Sequence, residues 1–230
     1  MTHFRRILPL IALLAAGSPA AGLAQEAESN GPHEGLFATG VLDDLAIGES
    51  IRFRHARDVE PDVPGIIDFE GSAEVSIEEG EEGKRAARIA LIANDQPRPV
   101  PRMPADAGHP LLLIFLENTV RTMSETVGGN PFYIRNRIRE SFWDSGEVAP
   151  VEIRYDGETV AAEELVYRPF VEDPNRDKMG GFADLTLSFL VSDAVPGGIA
   201  RFDLEVPAVA DLPGLSETIE LEGLEQEEES

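Results

Sequence analysis

The sequence predicts an α+β fold: an antiparallel, incompletely closed β half-barrel covered by a helical hairpin inserted mid-chain. Three observations carry this reading. Apolar residues alternate at strand period from Ile51 to Ala93 and again from Val148 to Leu221, while from about residue 109 to 145 they recur every three or four residues. Strands with a single apolar parity must bury one face, and a helical hairpin with an apolar stripe is the available cover. Helices and strands do not alternate along the chain, and there is no internal repeat, so the pattern is not that of a parallel α/β sheet.

The 230 residues open with MTHFRRILPLIALLAAGSPAAGLAQ: two arginines, an apolar run from Ile7 to Ala16, then small residues up to Ala24. This is the pattern of a secretory signal peptide over residues 1–24. Its apolar run is about half of the ~20 residues that a bilayer span requires. The expectation is therefore a periplasmic protein, with no transmembrane segment after signal cleavage. Cysteine is absent, which excludes disulfides and lipoprotein acylation, and the remaining length suffices for a core without staples. Residues 25–40 read as a flexible leader, 41–222 as a single domain, and 223–230 as an acidic disordered tail, because a like-charge run without apolar partners does not fold. The formal net charge of -24 repels phosphate backbones, so nucleic acid is excluded as a partner.

Within the first strand block, Ile51, Phe53 and His55 share one parity, with Arg52 and Arg54 on the other. A hairpin follows: Ala73, Val75 and Ile77 in phase, a turn at 80–83, then Ala87, Ile89, Leu91 and Ala93. The proline-rich run from Asp95 to Pro110 then ends the strand, since proline cannot donate to a ladder.

Leu112, Leu116, Val120, Met123 and Val127 mark the first helix, which stops at Gly128-Gly129. Asn130 is placed to cap a second helix whose first position is Pro131 and whose stripe is Ile134, Ile138 and Phe142. Strands return with Val151, Ile153 and Tyr155, a turn at Asp156-Gly157, and a partner strand running to Phe170. Another pair carries Leu185, Leu187, Phe189 and Val191 on one arm, with Ala200, Phe202, Leu204 and Val206 on the other, and a last strand holds Ile219 and Leu221.

This order of elements, together with export, resembles the half-barrel carriers of bacterial envelopes, the lipoprotein-carrier type. The stretches GGNPFYIRNRIRES and RPFVEDPNRDKMGGFADL resemble segments of uncharacterised exported bacterial envelope proteins. The resemblance covers the order of elements over most of the chain, without matching any individual motif residue.

No motif spells out a reaction. G-x-S-x-G, P-loop and G-x-G-x-x-G patterns are absent, the four histidines are scattered and cysteine is missing, so no catalytic residue, metal ligand or cofactor is assigned. His55, on the apolar parity of its strand, reads as a hydrogen-bonded core residue. The stretch from Asp173 to Asp184 spaces Asp173, Asn175, Asp177 and Asp184 as a calcium loop would, but Lys178 stands where the sharp turn wants glycine. An Asx-turn loop between strands accounts for it better.

Two non-enzymatic functions follow, with an enzyme of unknown class as the third reading. In the first, the half-barrel binds an apolar ligand, a lipid or an envelope component through inward-facing Leu112, Leu116, Ile138, Leu187, Phe189 and Phe202, with Ile89, Leu91 and Leu204 beside them; the same residues would equally fill a dry core. In the second, the hairpin docks an envelope protein through Tyr133, Arg135, Asn136, Arg139 and Trp143, since arginine and aromatic residues together are common at binding hot spots. The competing account of those arginines is ion pairing with Glu140, Asp144 and the acidic sheet.

Overall fold

The computed structural model describes residues 33–60, 66–210 and 212–226. The expected signal peptide lies outside the described residues, as do 25–32 of the leader and 227–230 of the tail. The chain runs α1 (His33–Leu36), β1 (Glu49–Glu60), β2 (Phe69–Glu79), β3 (Arg85–Ala93), β4 (Gln96–Arg98), β5 (Met103–Pro104), α2 (Pro110–Val127), α3 (Pro131–Asp144), β6 (Glu147–Tyr155), β7 (Glu158–Tyr167), β8 (Thr186–Val191), β9 (Ile199–Val206) and β10 (Gly214–Gln226). The strands form one antiparallel sheet in the order β4-β3-β2-β1-β10-β9-β8-β7-β6, with β5 pairing a second stretch of β3. Its edges β4 and β6 do not meet. The α+β half-barrel with a helical pair inserted mid-chain is therefore the architecture observed.

Alternation sets which face is buried. Along β1, Ile51, Phe53, His55 and Val59 are buried, while Arg52 and Arg54 point outward and donate to Glu225 and Glu220 of β10 at 2.8 Å each. Two tight hairpins use the positive-φ residues that a type I′ turn needs: Asn94 and Asp95 (φ 49 and 59) between β3 and β4, and Asp156 and Gly157 (φ 49 and 79) between β6 and β7. The helical link forms as its residues dictate. Gly128 and Gly129 take φ 78 and 102, and Asn130 caps α3 by accepting from Phe132 N at 2.9 Å.

The helices lie against the β8–β9 region through an aromatic cluster. Phe189 packs within 6.0 Å of Phe115, 6.2 Å of Phe142, 6.1 Å of Tyr167 and 6.0 Å of Phe202, measured between ring centroids. The buried arc of α2 is wider than the expected stripe, because Leu111 and Phe115 join Leu112, Val120 and Met123 in the core while Leu116 and Val127 are only half-buried.

Four boundaries differ from expectation. Residues 33–40 are not a loose leader: they include α1, and Leu36 is buried in the core. Residues 223–226 belong to β10 rather than to a disordered tail, because Arg52 supplies the counter-charge that Glu222 and Glu225 lack in sequence (3.5 and 2.8 Å). The proline-rich run contributes β4 and β5, both along the sheet edge, where the missing N–H of a proline breaks no ladder. Finally, β7 ends at Tyr167, three residues early, and a loop with two short 3-10 turns leads to β8.

Candidate functional site

A cleft of about 960 Å³ opens between α2 and the β1–β3 end of the sheet. Its sheet side carries Phe69, Leu91 and Ala93, its helix side Leu113, Ile114 and Thr122, and the segment Pro99–Met103 closes one flank. Leu113 and Ile67 at its rim are exposed, whereas Phe69 and Leu91 are buried. The cleft thus passes from an exposed apolar rim to a buried interior.

At its inner end lies a charged group that strand geometry brings together. Arg57 of β1 stands opposite Glu217 of β10 on one side and Phe69 of β2 on the other. Glu217 Oε2 accepts from Arg57 Nε at 2.9 Å and Nη2 at 2.5 Å, and Oε1 accepts from His55 Nε2 at 2.8 Å. An ionised carboxylate only accepts, so His55 carries its proton on Nε2. The guanidinium lies over the Phe69 ring at 5.3 Å, and the His55 ring meets the same phenyl edge-on at 4.6 Å. Burial pushes the Glu217 carboxyl up, but the His55 hydrogen bond and the Arg57 charge outweigh it and hold the group below the ordinary glutamate range. Arg98 and Arg121 stand at the exposed rim, with Glu117 and Glu125. Glu117 is bridged by Arg135 of α3 at 2.7 Å.

None of Leu112, Leu116, Ile138, Leu187, Phe189 and Phe202 lines this cleft. Leu187, Phe189 and Phe202 are wholly buried among the packed rings, and Leu112 and Ile138 are buried with them. Parity identifies an inward face but not whether the space before it is filled, and here large aromatic side chains fill it. Leu91 alone of the inward-facing set lines the cleft.

The docking residues separate. Tyr133 donates to Asp173 Oδ2 at 2.8 Å and accepts from Asn175 Nδ2 at 3.0 Å, and Arg135 is held by Glu117. Asn136, Arg139 and Trp143 are exposed. Arg137, between the two arginines of the expected patch, donates to Asp173 at 2.8 Å and to Glu140 at 2.8 Å.

The calcium-like spacing is used otherwise. The Asp173 carboxylate is enclosed by Tyr133, Arg137 and the Asn175 N–H, which makes the Asx turn, and Asp184 pairs with Arg176 at 2.6 Å. Burial raises the Asp173 carboxyl, and these donors together bring it below its ordinary value.

Arg57 and Glu217 are not among the site residues that the sequence points to. The signal was present, since Arg57 continues the Ile51, Phe53, His55 parity and Glu217 shares the parity of Ile219 and Leu221. A charge on an apolar file marks a buried pair or a site.

No protein-family model matches the chain, and no curated protein matches it. Among solved structures it is similar to the Mycobacterium tuberculosis lipoprotein LppX, at 9% identity and a TM-score of 0.31 over 83% of this chain and 91% of that one. It is similar also to MucB, at 10% identity and a TM-score of 0.33 over 83% of this chain, where it spans 58% of the length of MucB. A third is a domain of an outer membrane lipoprotein-sorting protein from Vibrio parahaemolyticus, at 12% identity and a TM-score of 0.24 over 78% of this chain and 86% of that one.

Proposed function

We propose that the chain is a non-enzymatic periplasmic protein that binds an apolar ligand in the cleft between α2 and the β1–β3 end of the sheet. The observation that carries this reading is the cleft itself. Its volume of about 960 Å³ falls at the upper end of the roughly 300–1,000 Å³ typical of ligand sites, and its mix of apolar walls with a few convergent polar groups is the usual composition. A site of this shape suits a flexible apolar chain or lipid. The position supports binding beside, rather than within, the aromatic core.

The test is binding of an environment-sensitive fluorescent dye to the purified protein, with mass spectrometry of lipids that co-purify. Wild type should enhance the dye, and Leu113→Glu, at the rim, should remove most of that enhancement while leaving the circular dichroism unchanged. A featureless dye response with no bound lipid would sink the reading.

Docking of an envelope protein through the helical hairpin is the second reading. It keeps exposed Trp143 (58%) on α3, with Asn136 and Arg139, and exposed Phe132 (73%) joins them, but Tyr133 and Arg135 are already paired with Asp173 and Glu117. On this reading Phe132→Ala with Trp143→Ala would abolish association and leave dye binding intact.

A further inference from the structure

We propose that the ligand of the cleft is an acidic amphiphile, a single long apolar chain ending in a carboxylate, with the carboxylate held by Arg57; this rests on the cleft being a ligand site. Arg57 lines the cleft from a file of β1 that is otherwise core. Its neighbours on the inward file of β1 are apolar or hydrogen-bonded core residues, Ile51, Phe53, His55 and Val59, all buried. A buried Arg–Glu pair in such a file recovers little beyond its desolvation cost, and packed apolar residues would serve stability as well. The pair stands where the cleft ends, however, and that position has a use. Glu217 takes Nε and Nη2 of the guanidinium, leaving Nη1 outside that pairing, and the guanidinium lies over the Phe69 ring at 5.3 Å. Arg57 is thereby a preorganised donor at the inner end of an apolar channel.

Local charge points the same way. The chain carries a net -24, yet among the described residues the charged lining of the cleft sets Arg57, Arg98 and Arg121 against Glu117, Glu125 and Glu217, and Glu117 is already answered by Arg135 of α3. Three guanidinium groups and three carboxylates line it, so the cleft is locally neutral in a strongly acidic chain, and with Glu117 taken by Arg135 and Glu217 by Arg57 a guanidinium at the rim is left to one further anion. A head group of charge about -1 balances this, which fits a carboxylate better than a phosphate monoester at about -1.5 to -2. A cationic head group would be repelled by the Arg57 guanidinium at the inner end.

The experiment is displacement of the dye from the full wild-type protein by four probes of one chain length: hexadecanoate, hexadecanol, hexadecylamine and hexadecyl phosphate, each below its aggregation concentration. Hexadecanoate should bind about tenfold or more tighter than hexadecanol, the effect of one charge-assisted hydrogen bond, and hexadecylamine should be weakest. Arg57→Lys keeps the charge beside Glu217, and Arg57→Gln with Glu217→Gln removes both charges together, so neither leaves a bare buried carboxylate. In both variants the preference for acid over alcohol should collapse while hexadecanol binds as before. Equal affinity for acid and alcohol overturns the inference and leaves the cleft reading standing. Tighter binding of hexadecyl phosphate overturns the choice of head group, and an undiminished preference in both variants overturns the role of Arg57. If no probe binds, the cleft reading falls, and this inference with it.

Discussion

Arg57 and Glu217 face each other in register across β1 and β10, and a single carboxylate oxygen of Glu217 accepts two hydrogen bonds from the Arg57 guanidinium. The second oxygen is taken by His55. Three polar side chains from two adjacent strands thus satisfy one another where the sheet would otherwise be apolar, and they do so at the inner end of the cleft.

Breaking that group on one side should be costly, and replacing it whole should not. Arg57→Gln leaves Glu217 buried with His55 as its remaining partner and should lower unfolding free energy by about 3–5 kcal/mol, whereas Arg57→Met with Glu217→Leu should lie near wild type. Urea denaturation of the three proteins measures both. A mild loss in the single variant would show that Glu217 is not held as described.

Acid should destabilise the fold before its carboxylates titrate. Neither ring nitrogen of His109, buried between Phe53 and Phe202, has a hydrogen-bond partner among the described residues, and burial lowers its pKa from 6.5 to about 3. Above about 6.5 the ring is neutral in both states and adds no pH dependence. Between 6.5 and 3 the unfolded chain takes a proton that the folded one refuses, so stability falls by up to ~1.4 kcal/mol per pH unit. His109→Leu should be more stable than wild type at neutral pH, by about 1–3 kcal/mol, and should flatten the slope between pH 6.5 and 5. Glu217 and Asp173, both held low, add their own loss only at lower pH, as it falls through their folded values. Thermal melts from pH 8 to 4 separate these contributions.

Local chemistry was legible in the sequence wherever a single residue type decides the backbone. Asn130-Pro131, Gly128-Gly129 and Asp156-Gly157 form the cap, link and turn that their residues require, and period alone distinguishes the helical pair from the strands. What was not legible depended on partners distant in sequence. Glu225 looks like part of a solvated acidic run until Arg52, 173 positions away, is placed opposite it. Phe189 looks like a cleft lining until four other rings are seen to fill the space in front of it. Volume is a sum over many side chains, and alternation carries only its sign.

The arginines of α3 should not be equivalent. Arg137 answers the buried Asp173 together with Tyr133, so Arg137→Ala should cost about 2–4 kcal/mol by leaving that carboxylate under-paired. Arg135 is exposed and pairs with exposed Glu117, so Arg135→Ala should barely move the denaturation midpoint. Equal effects would place the Asp173 group in solvent.

Gly71 should not tolerate a side chain. A Cβ there would lie 1.9 Å from the Ile92 carbonyl oxygen and 2.8 Å from its carbon, both backbone atoms of β3. Gly71→Ala must therefore push β2 from β3, beside His55, and should destabilise by about 1–3 kcal/mol. It should also weaken dye binding, because those strands form the sheet side of the cleft. Wild-type stability in this variant would mean that the two strands are not so closely joined.

The location of the bound chain tests the account most directly. Hydrogen–deuterium exchange of the wild-type protein, with and without hexadecanoate or hexadecanol, reports which backbone the ligand covers. Slower exchange is predicted over residues 98–103 and along the 113–126 face of α2, with no change over 131–144 of α3. Protection centred on α3, or binding that leaves both cleft segments unchanged, would contradict it.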